Sequence, residues 1–426
     1  MRTWLFICCL ILVVSCKKEG DTTAPTVNIV LPVDGLQANV TDIIHVKVDI
    51  ADDVALSRLE VRLVTTSQIA VMPVVQLSTS GTGGSLEMDY PLDDITLESG
   101  QYYLEAKIFD ESGNESHDFV LLNITAVPKV LQGVFAVTTG SGFADIHKIN
   151  ASWTSAVLGS FQSDFTDLAV SSWWQQVCIT GAYTGMFRCI SLDGVRPSWT
   201  INAIPNAGPF WGGVFTNGKD WYLNFRSDEF LKKYAYTGSS GISYTANTGY
   251  HFRNCTFSGE KLFAETEDFA GTSRLMSVFV SGGGAVQQAV MNVQSVAILP
   301  RDATTVYVAG NTNGQGKLLI YDYDLNGFWE PIALPAGQVL SATQVDVNTL
   351  LIAMDNGFVY KFTYAPVGLL QWIGATAQHI RYDEAGGTVI TAEGVSIKQY
   401  DYPAVNVLHT VALPDTAQDI ELWYNR

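Results

Sequence analysis

Tyr250, His251 and Arg253 stand within four positions of one another, and their types suit proton transfer. A phenol or imidazole can take a proton while a guanidinium neutralises a neighbouring carboxylate. Joined by a carboxylate such as Asp167 or Asp419, the set would permit elimination or hydrolysis on an acidic polysaccharide, so a carbohydrate-active lyase or hydrolase is one expectation. Zinc hydrolysis is not expected. None of His45, His117, His147, His251, His379 and His409 lies within five residues of another, and no HExxH, GxSxG or P-loop pattern occurs. Asp322-Tyr323-Asp324-Leu325-Asn326-Gly327 matches the first half of a calcium loop, but Ala333 occupies the position where a bidentate Glu is needed. A turn between strands accounts for the same residues, so no metal, cofactor or assigned catalytic residue is expected.

The elements that would position these residues are β throughout. From Gly133 onward, short β runs following a turn recur at Gly133, Gln176, Asp220, Lys261, Thr305, Thr349 and Thr388, a mean interval of 42.5 residues. Four β runs per unit at that period mark a β-propeller. The unit from Val293 displays them as Gln294 to Leu299, Thr305 to Gly310, Lys317 to Asp324 and Trp329 to Leu334. We label such runs A to D from the axis outward. The region opens with a B-type run, Gly133 to Val137, and closes with an A-type run, Gln418 to Trp423, so the two ends would share one blade. The expected fold is therefore a seven-bladed propeller over residues 130–426, closed without an open sheet edge. Thr376 to Ile380 and Thr416 to Ile420 repeat at a spacing of 40 and support the register.

On that map the D-to-A and B-to-C connections share one face, and the A-strand starts ring its mouth. The candidate ligand-binding residues are Asp167, Trp211, Tyr250, His251, Arg253, Gln378, His379 and Asp419. Aromatic rings stack on sugar C–H faces while amides and carboxylates bond hydroxyls, so the ring suits a glycan or protein ligand. Phe165, Phe210 and Trp211 also fit packing between neighbouring blades.

The chain has 426 residues, with 24 Lys+Arg against 42 Asp+Glu and a formal charge of −18. A nucleic-acid partner is excluded as an expectation, because counterion release needs a basic surface. With 47% apolar and 15% charged residues there is ample material for packed cores.

The N-terminal run MRTWLFICCLILVVSC is apolar from Trp4 to Val14, too short to span a bilayer, and reads as a signal-peptide core. Val13-Val14-Ser15-Cys16 resembles the lipobox of bacterial lipoproteins, which implies lipidation of Cys16 after removal of the leader, 1–16. A polar tether, 17–23, follows. Lys17 stands after the cysteine in place of Asp, so the implied location is the outer membrane, at the cell surface or the periplasmic face. Of the remaining cysteines, Cys178 and Cys189 flank a hairpin that sets them opposite each other, open to a disulfide or to two buried thiols. Cys255 is left over.

Residues 24–126 alternate in short runs broken by turns, such as Ile44 to Ile50 and Tyr102 to Ile108, the pattern of a β-sandwich. Ala24 to Val27, Ala51 to Ser57 and Ile108 to Asn114 resemble the three signature stretches of bacterial Ig-like domains, with Ala55 where that family usually has Gly. The resemblance implies a spacer. Asp52, Asp53 and Asp110 are open to two readings, a calcium cluster or turn carboxylates accepting backbone N–H groups, and the second is the expectation. Across the propeller region the motifs resemble the superfamily in general. They lack the Trp-Asp endings of WD40 blades, and Ser191 to Trp199 departs from the Asp-box of sialidase-type propellers by placing Gly194 directly after Asp193.

An anchor, a spacer and a platform without a catalytic constellation lead to the expectation of a noncatalytic cell-envelope lipoprotein whose propeller binds a glycan or protein partner. The alternatives are the polysaccharide enzyme above and a structural component of an envelope complex.

Overall fold

A computed structural model describes residues 21–183, 185–204, 208–282 and 287–426, so Cys16 and the leader lie outside the described residues. Backbone contacts divide the chain at Pro128/Lys129 into two compact units. All assigned elements are strands.

In the first unit, Thr26–Leu31, Ile43–Ala51 and Gly83–Pro91 form one sheet with Ile43–Ala51 central. The other sheet runs Leu36–Asn39, Glu115–Thr125, Gly100–Asp110, Leu56–Thr65, Val75–Ser78 in spatial order. Alternation dictates this two-layer arrangement, because successive side chains point to opposite faces. Val46, Val48 and Ile50 from one sheet meet Leu59, Val61, Leu63, Leu104 and Ala106 from the other in a shared core. Turn carboxylates fix its loops: Asp52 accepts the Val54 and Ala55 amides, and Asp110 accepts the Asn114 amide.

The second unit contains seven four-stranded antiparallel sheets among the described residues. Six are built from four consecutive strands. The seventh joins the terminal strand Ala417–Tyr424 to Leu131–Gly140, Phe143–Asn150 and Ser155–Gln162. The innermost strands are Phe165–Ser171, Trp211–Thr216, Tyr250–Ser258, Gln294–Pro300, Val339–Asp346, His379–Asp383 and Ala417–Tyr424. Each packs against the next, and the last packs back on the first. A ring of radially packed sheets around an axis is a β-propeller. Its second strands, such as Gln176–Gly181, Trp221–Phe225 and Thr349–Met354, are buried along their whole length. Burial on both faces makes them near-continuous apolar runs, which is why their starts carry the repeat. Outer strands such as Ser155–Gln162 are largely exposed.

One strand differs from expectation. The outer strand of the sheet from Gln294 is Gly327–Trp329, ending where the sequence pattern begins it. Pro331, with no N–H to offer a ladder, stands two residues past its end and stops the pairing.

Six of the innermost strands share an irregularity that no repeat pattern discloses. Their pairing with the second strand slips between Phe165 and Asp167, Trp211 and Gly213, Phe252 and Asn254, Ser295 and Ala297, Val339 and Ser341, and Ala417 and Asp419. Such a bulge inserts one unpaired residue and re-aims its side chain. His379–Asp383 pairs without a slip.

The closing strand carries Ile420, fully buried against Ile390, Ala392 and Ile397 of the preceding sheet. Ile420→Ala should lower the unfolding free energy measured in urea by about 2–5 kcal/mol, whereas Val407→Ala on an exposed outer strand should stay within about 0.5 kcal/mol. Equal effects would show that the closing strand lies outside the cooperative unit.

Candidate functional site

The innermost strands enclose an axial cavity of about 580 Å³. The inserted bulge residues Thr166, Gly212, Arg253, Val296, Leu340 and Gln418 all line it. Asp167, Arg253, His379 and Asp419, four of the residues proposed from sequence, come together on its wall with Arg381 and Glu421.

These charges compensate one another. Arg381 donates from Nη2 to Glu421 Oε1 at 2.7 Å and from Nε to the same oxygen at 3.0 Å. Its Nη2 also reaches Asp419 Oδ1 at 3.3 Å, and His379 Nδ1 lies 3.3 Å from that oxygen. Burial opposes the Arg381 charge, but Glu421 and Asp419 more than offset it and hold its pKa above the usual guanidinium range. Burial raises Glu421, and Asp419 adds to the effect, despite the Arg381 contact. Asp167 accepts the Leu168 amide at 3.0 Å and the Val214 amide of the next sheet at 2.8 Å. Burial, followed by the Asp419 and Glu421 charges, pushes its carboxyl well above the usual range.

Across the axis, Arg253 donates from Nη1 to both Glu267 oxygens at 3.1 Å. Gln294 Nε2 reaches Glu267 Oε1 at 2.9 Å. Neighbouring Glu265 is fully buried and accepts the Ser273 hydroxyl at 2.7 Å and the Ser295 hydroxyl at 2.5 Å. Burial raises its pKa.

The remaining sequence candidates lie elsewhere. Trp211 is fully buried, packed with Phe187, Phe210 and Phe225, and its Nε1 donates to Gly185 O at 2.9 Å. An indole enclosed between sheets cannot stack on a ligand, so Trp211 is corrected to a packing residue. Gln378 accepts the Gly394 amide at 2.8 Å and so pins a strand connection. Tyr250 and His251 line a separate hollow with Arg226, Asp228 and Phe269. Cys178 and Cys189 are direct cross-strand partners, as the hairpin reading placed them, and both are buried free thiols in the cluster that holds Phe187 and Trp221. In the first unit, Asp21 joins Asp52 and Asp53 with ligand oxygens within 4.8 Å of one another, Asp53 being exposed.

Arg381, Glu421, Glu265 and Glu267 were missed from sequence. One signal was present: the repeat at spacing 40 continues one residue further, setting Arg381 at the position of Glu421 on the adjacent strand. Another was the pair of carboxylates in Ala264-Glu265-Thr266-Glu267, within a run otherwise buried, where charges occur only when partnered.

Because burial and two carboxylates raise Asp167, the folded chain keeps that proton to higher pH than the unfolded chain, whose Asp titrates near about 3.9. In the window above that value the folded state binds more protons, so stability falls as pH rises through it. Asp167→Asn removes the effect. Urea midpoints of wild type and variant from pH 4 to pH 8 should show the wild type losing ground steadily against the variant. A pH-independent offset would mean that Asp167 titrates alike in both states.

No protein-family model matches the chain, and no curated protein does. Among solved structures, the chain is similar to a protein from Lactobacillus plantarum at a TM-score of 0.53 and 14% identity, covering 69% of this chain and 99% of that one. It is also similar to the WD40 β-propeller domain of Doa1, at a TM-score of 0.47 and 13% identity over 62% of this chain and 89% of that one. The Neurospora crassa Pan2 WD40 domain gives 0.46 and 12% over 69% and 87%.

Proposed function

We propose that this chain is a noncatalytic lipoprotein of the cell envelope. Lipid on Cys16 anchors it to the outer membrane, an Ig-like domain over 24–126 acts as spacer, and a seven-bladed propeller over 130–426 presents a mouth that captures a glycan or protein partner. The observation that carries this reading is the mutual neutralisation of the cavity charges: Arg381 is held by Asp419 and Glu421, and Arg253 by Glu267. A cation already bonded to carboxylates is poorly placed to neutralise a substrate uronate. Within the elimination set, Arg253 lines the axial cavity and Tyr250 and His251 an adjoining hollow, and both Arg253 and His251 lie against the same Glu267 oxygen, at 3.1 and 3.5 Å.

Loops on the mouth face support a docking role. Phe143, Tyr183, Ile204 and Phe269 sit at B-to-C or D-to-A connections and are 47, 50, 66 and 86% exposed. Large apolar side chains left in water at one face are an interaction signal when they share it.

Two measurements test the proposal. Cys16→Ala should abolish labelling by radioactive palmitate and move the protein from the membrane to the soluble fraction; membrane retention would remove the anchor. The chain from Lys17 onward should capture a partner on a glycan array or in a crosslinking pull-down, and His379→Ala with Gln418→Ala should weaken capture at least about tenfold, roughly 1.4 kcal/mol. Undiminished capture by the double variant would remove the mouth as the site.

A further inference from the structure

The mouth face of the propeller carries negative charge that its own cations do not meet. Its B-to-C and D-to-A connections hold Asp164, Asp228, Glu229, Glu330, Asp355 and Asp415 against Arg226. The two strand residues on either side of each connection add Glu267, Asp268 and Glu393 against Arg188 and Arg274. Further along the strands, Lys232 lies over the Phe225 ring, while Lys317, Lys398 and Arg253 pair with Glu330, Glu393 and Glu267. Carboxylates occur at the opposite face too, but cations gather there: Arg196, Lys219, Lys233, Lys261 and Arg301 stand at its connections or strand ends. Four of the mouth carboxylates are set to meet a cation. Asp228 Oδ1 accepts the Phe230 amide at 2.9 Å, Glu229 Oε1 the Gly249 amide at 2.6 Å, Asp355 Oδ1 the Gln338 amide at 2.7 Å and Asp415 Oδ1 the Thr416 amide at 2.7 Å. The second oxygen of each makes no hydrogen bond or ion pair among the described residues, and none of the four residues is buried.

We infer that the partner taken at the mouth is a polypeptide segment bearing two or more lysine or arginine side chains, whose cations pair with these open carboxylate oxygens. The inference rests on the capture role proposed above and names the partner's chemistry. A backbone N–H is neutral, so the amide that fixes each carboxylate leaves its formal charge in place. A side chain already fixed in this way loses little freedom when a cation joins it. Several such charges on one face speed the encounter with a cationic partner and repel an anionic one, an acidic glycan included. Asp228 and Glu229, Asp355, and Asp415 stand at three separate connections around the ring, so a segment with several cations can meet them where a single small cation cannot. Phe143, Tyr183 and Phe269, exposed on the same face, supply rings over which guanidinium and ammonium groups rest favourably. Exposed apolar side chains such as Val195 and Leu325 occur at the opposite face as well, so charge is what singles out the mouth.

Random dodecapeptides displayed on phage and selected against the immobilised chain from Lys17 onward test the inference. The selected sequences should carry at least about twice the Lys and Arg content of the unselected library, and the strongest, made as a labelled peptide, should bind by fluorescence anisotropy. Asp355→Asn with Asp415→Asn should weaken that binding at least about fivefold, the effect of losing two partly exposed ion pairs. Each substitution keeps the oxygen that accepts the backbone amide, and an unchanged circular dichroism spectrum confirms that the fold is intact. Asp324→Asn with Asp346→Asn makes the same change of charge at the opposite face and should weaken binding less than about twofold. That contrast separates docking at the mouth from general attraction to a chain with a formal charge of −18. No peptide selected, selected peptides without excess cations, or equal loss in the two variants would each overturn the inference. Peptide binding lost only in the mouth-face variant supports it even if no partner is captured in the array or pull-down. Glycan-array capture that depends on His379 and Gln418, with no basic peptide selected, overturns it and leaves the mouth reading standing.

Discussion

The second unit depends on one non-covalent splice: the terminal strand Ala417–Tyr424 pairs antiparallel with Leu131–Gly140, from Ala417 opposite Thr138 to Tyr424 opposite Leu131. Without it the sheet of Leu131–Gly140 would present an unpaired inner edge, and the ring would have a gap through which its core meets water. Pairing segments almost three hundred positions apart carries a loop-closure cost that grows only slowly with length. Its reward is shared by all the sheets, since closure completes the burial of every neighbour.

Hydrogen bonds reinforce the splice at each boundary between sheets. In order around the axis, Asp167 accepts the Val214 amide, Asn224 donates to Phe252 O, and Glu265 accepts from Ser295. Asn311 then exchanges two bonds with Val339, the Ser341 hydroxyl accepts the Ile380 amide, and Arg381 meets Glu421. Trp423 donates to Gln175, and the Tyr424 amide to Ser172, across the last boundary. Apolar faces can slide over one another, whereas a directional bond sets a register between surfaces that share no ladder. The polar groups of the cavity wall thus belong first to the ring's assembly, and only what they leave unsatisfied is open to a ligand.

This division explains which parts of the molecule were legible in the sequence. The second strands are buried on both faces, so they stand out as apolar runs and carry the period. Strand alternation likewise foretold the two layers of the first unit. Trp211 misled because strand position fixes where a residue lies along the axis and says nothing about whether a neighbouring sheet covers it. Arg253 was placed on the mouth ring with Tyr250 and His251, but the slip between Phe252 and Asn254 turns it to the axis and leaves those two on the adjacent hollow. A bulge is a property of two paired strands, and one strand's residues do not encode it alone. Phe269 lies on a connection between strands, outside any periodic run, and only the folded chain brings it beside His251.

The electrostatics of the wall bear on what kind of site this can be. General acid–base catalysis requires a group whose O–H or lone pair can reach a substrate atom. Asp167 has the raised pKa but spends both oxygens on backbone amides, and Glu265 gives its oxygens to Ser273 and Ser295. Perturbed carboxyls often mark active sites, yet structural networks perturb them too, and Asp167, Glu265 and Glu421 are each tied to a specific sheet boundary. What such a network provides is rigidity: side chains fixed before a ligand arrives lose little freedom when it binds.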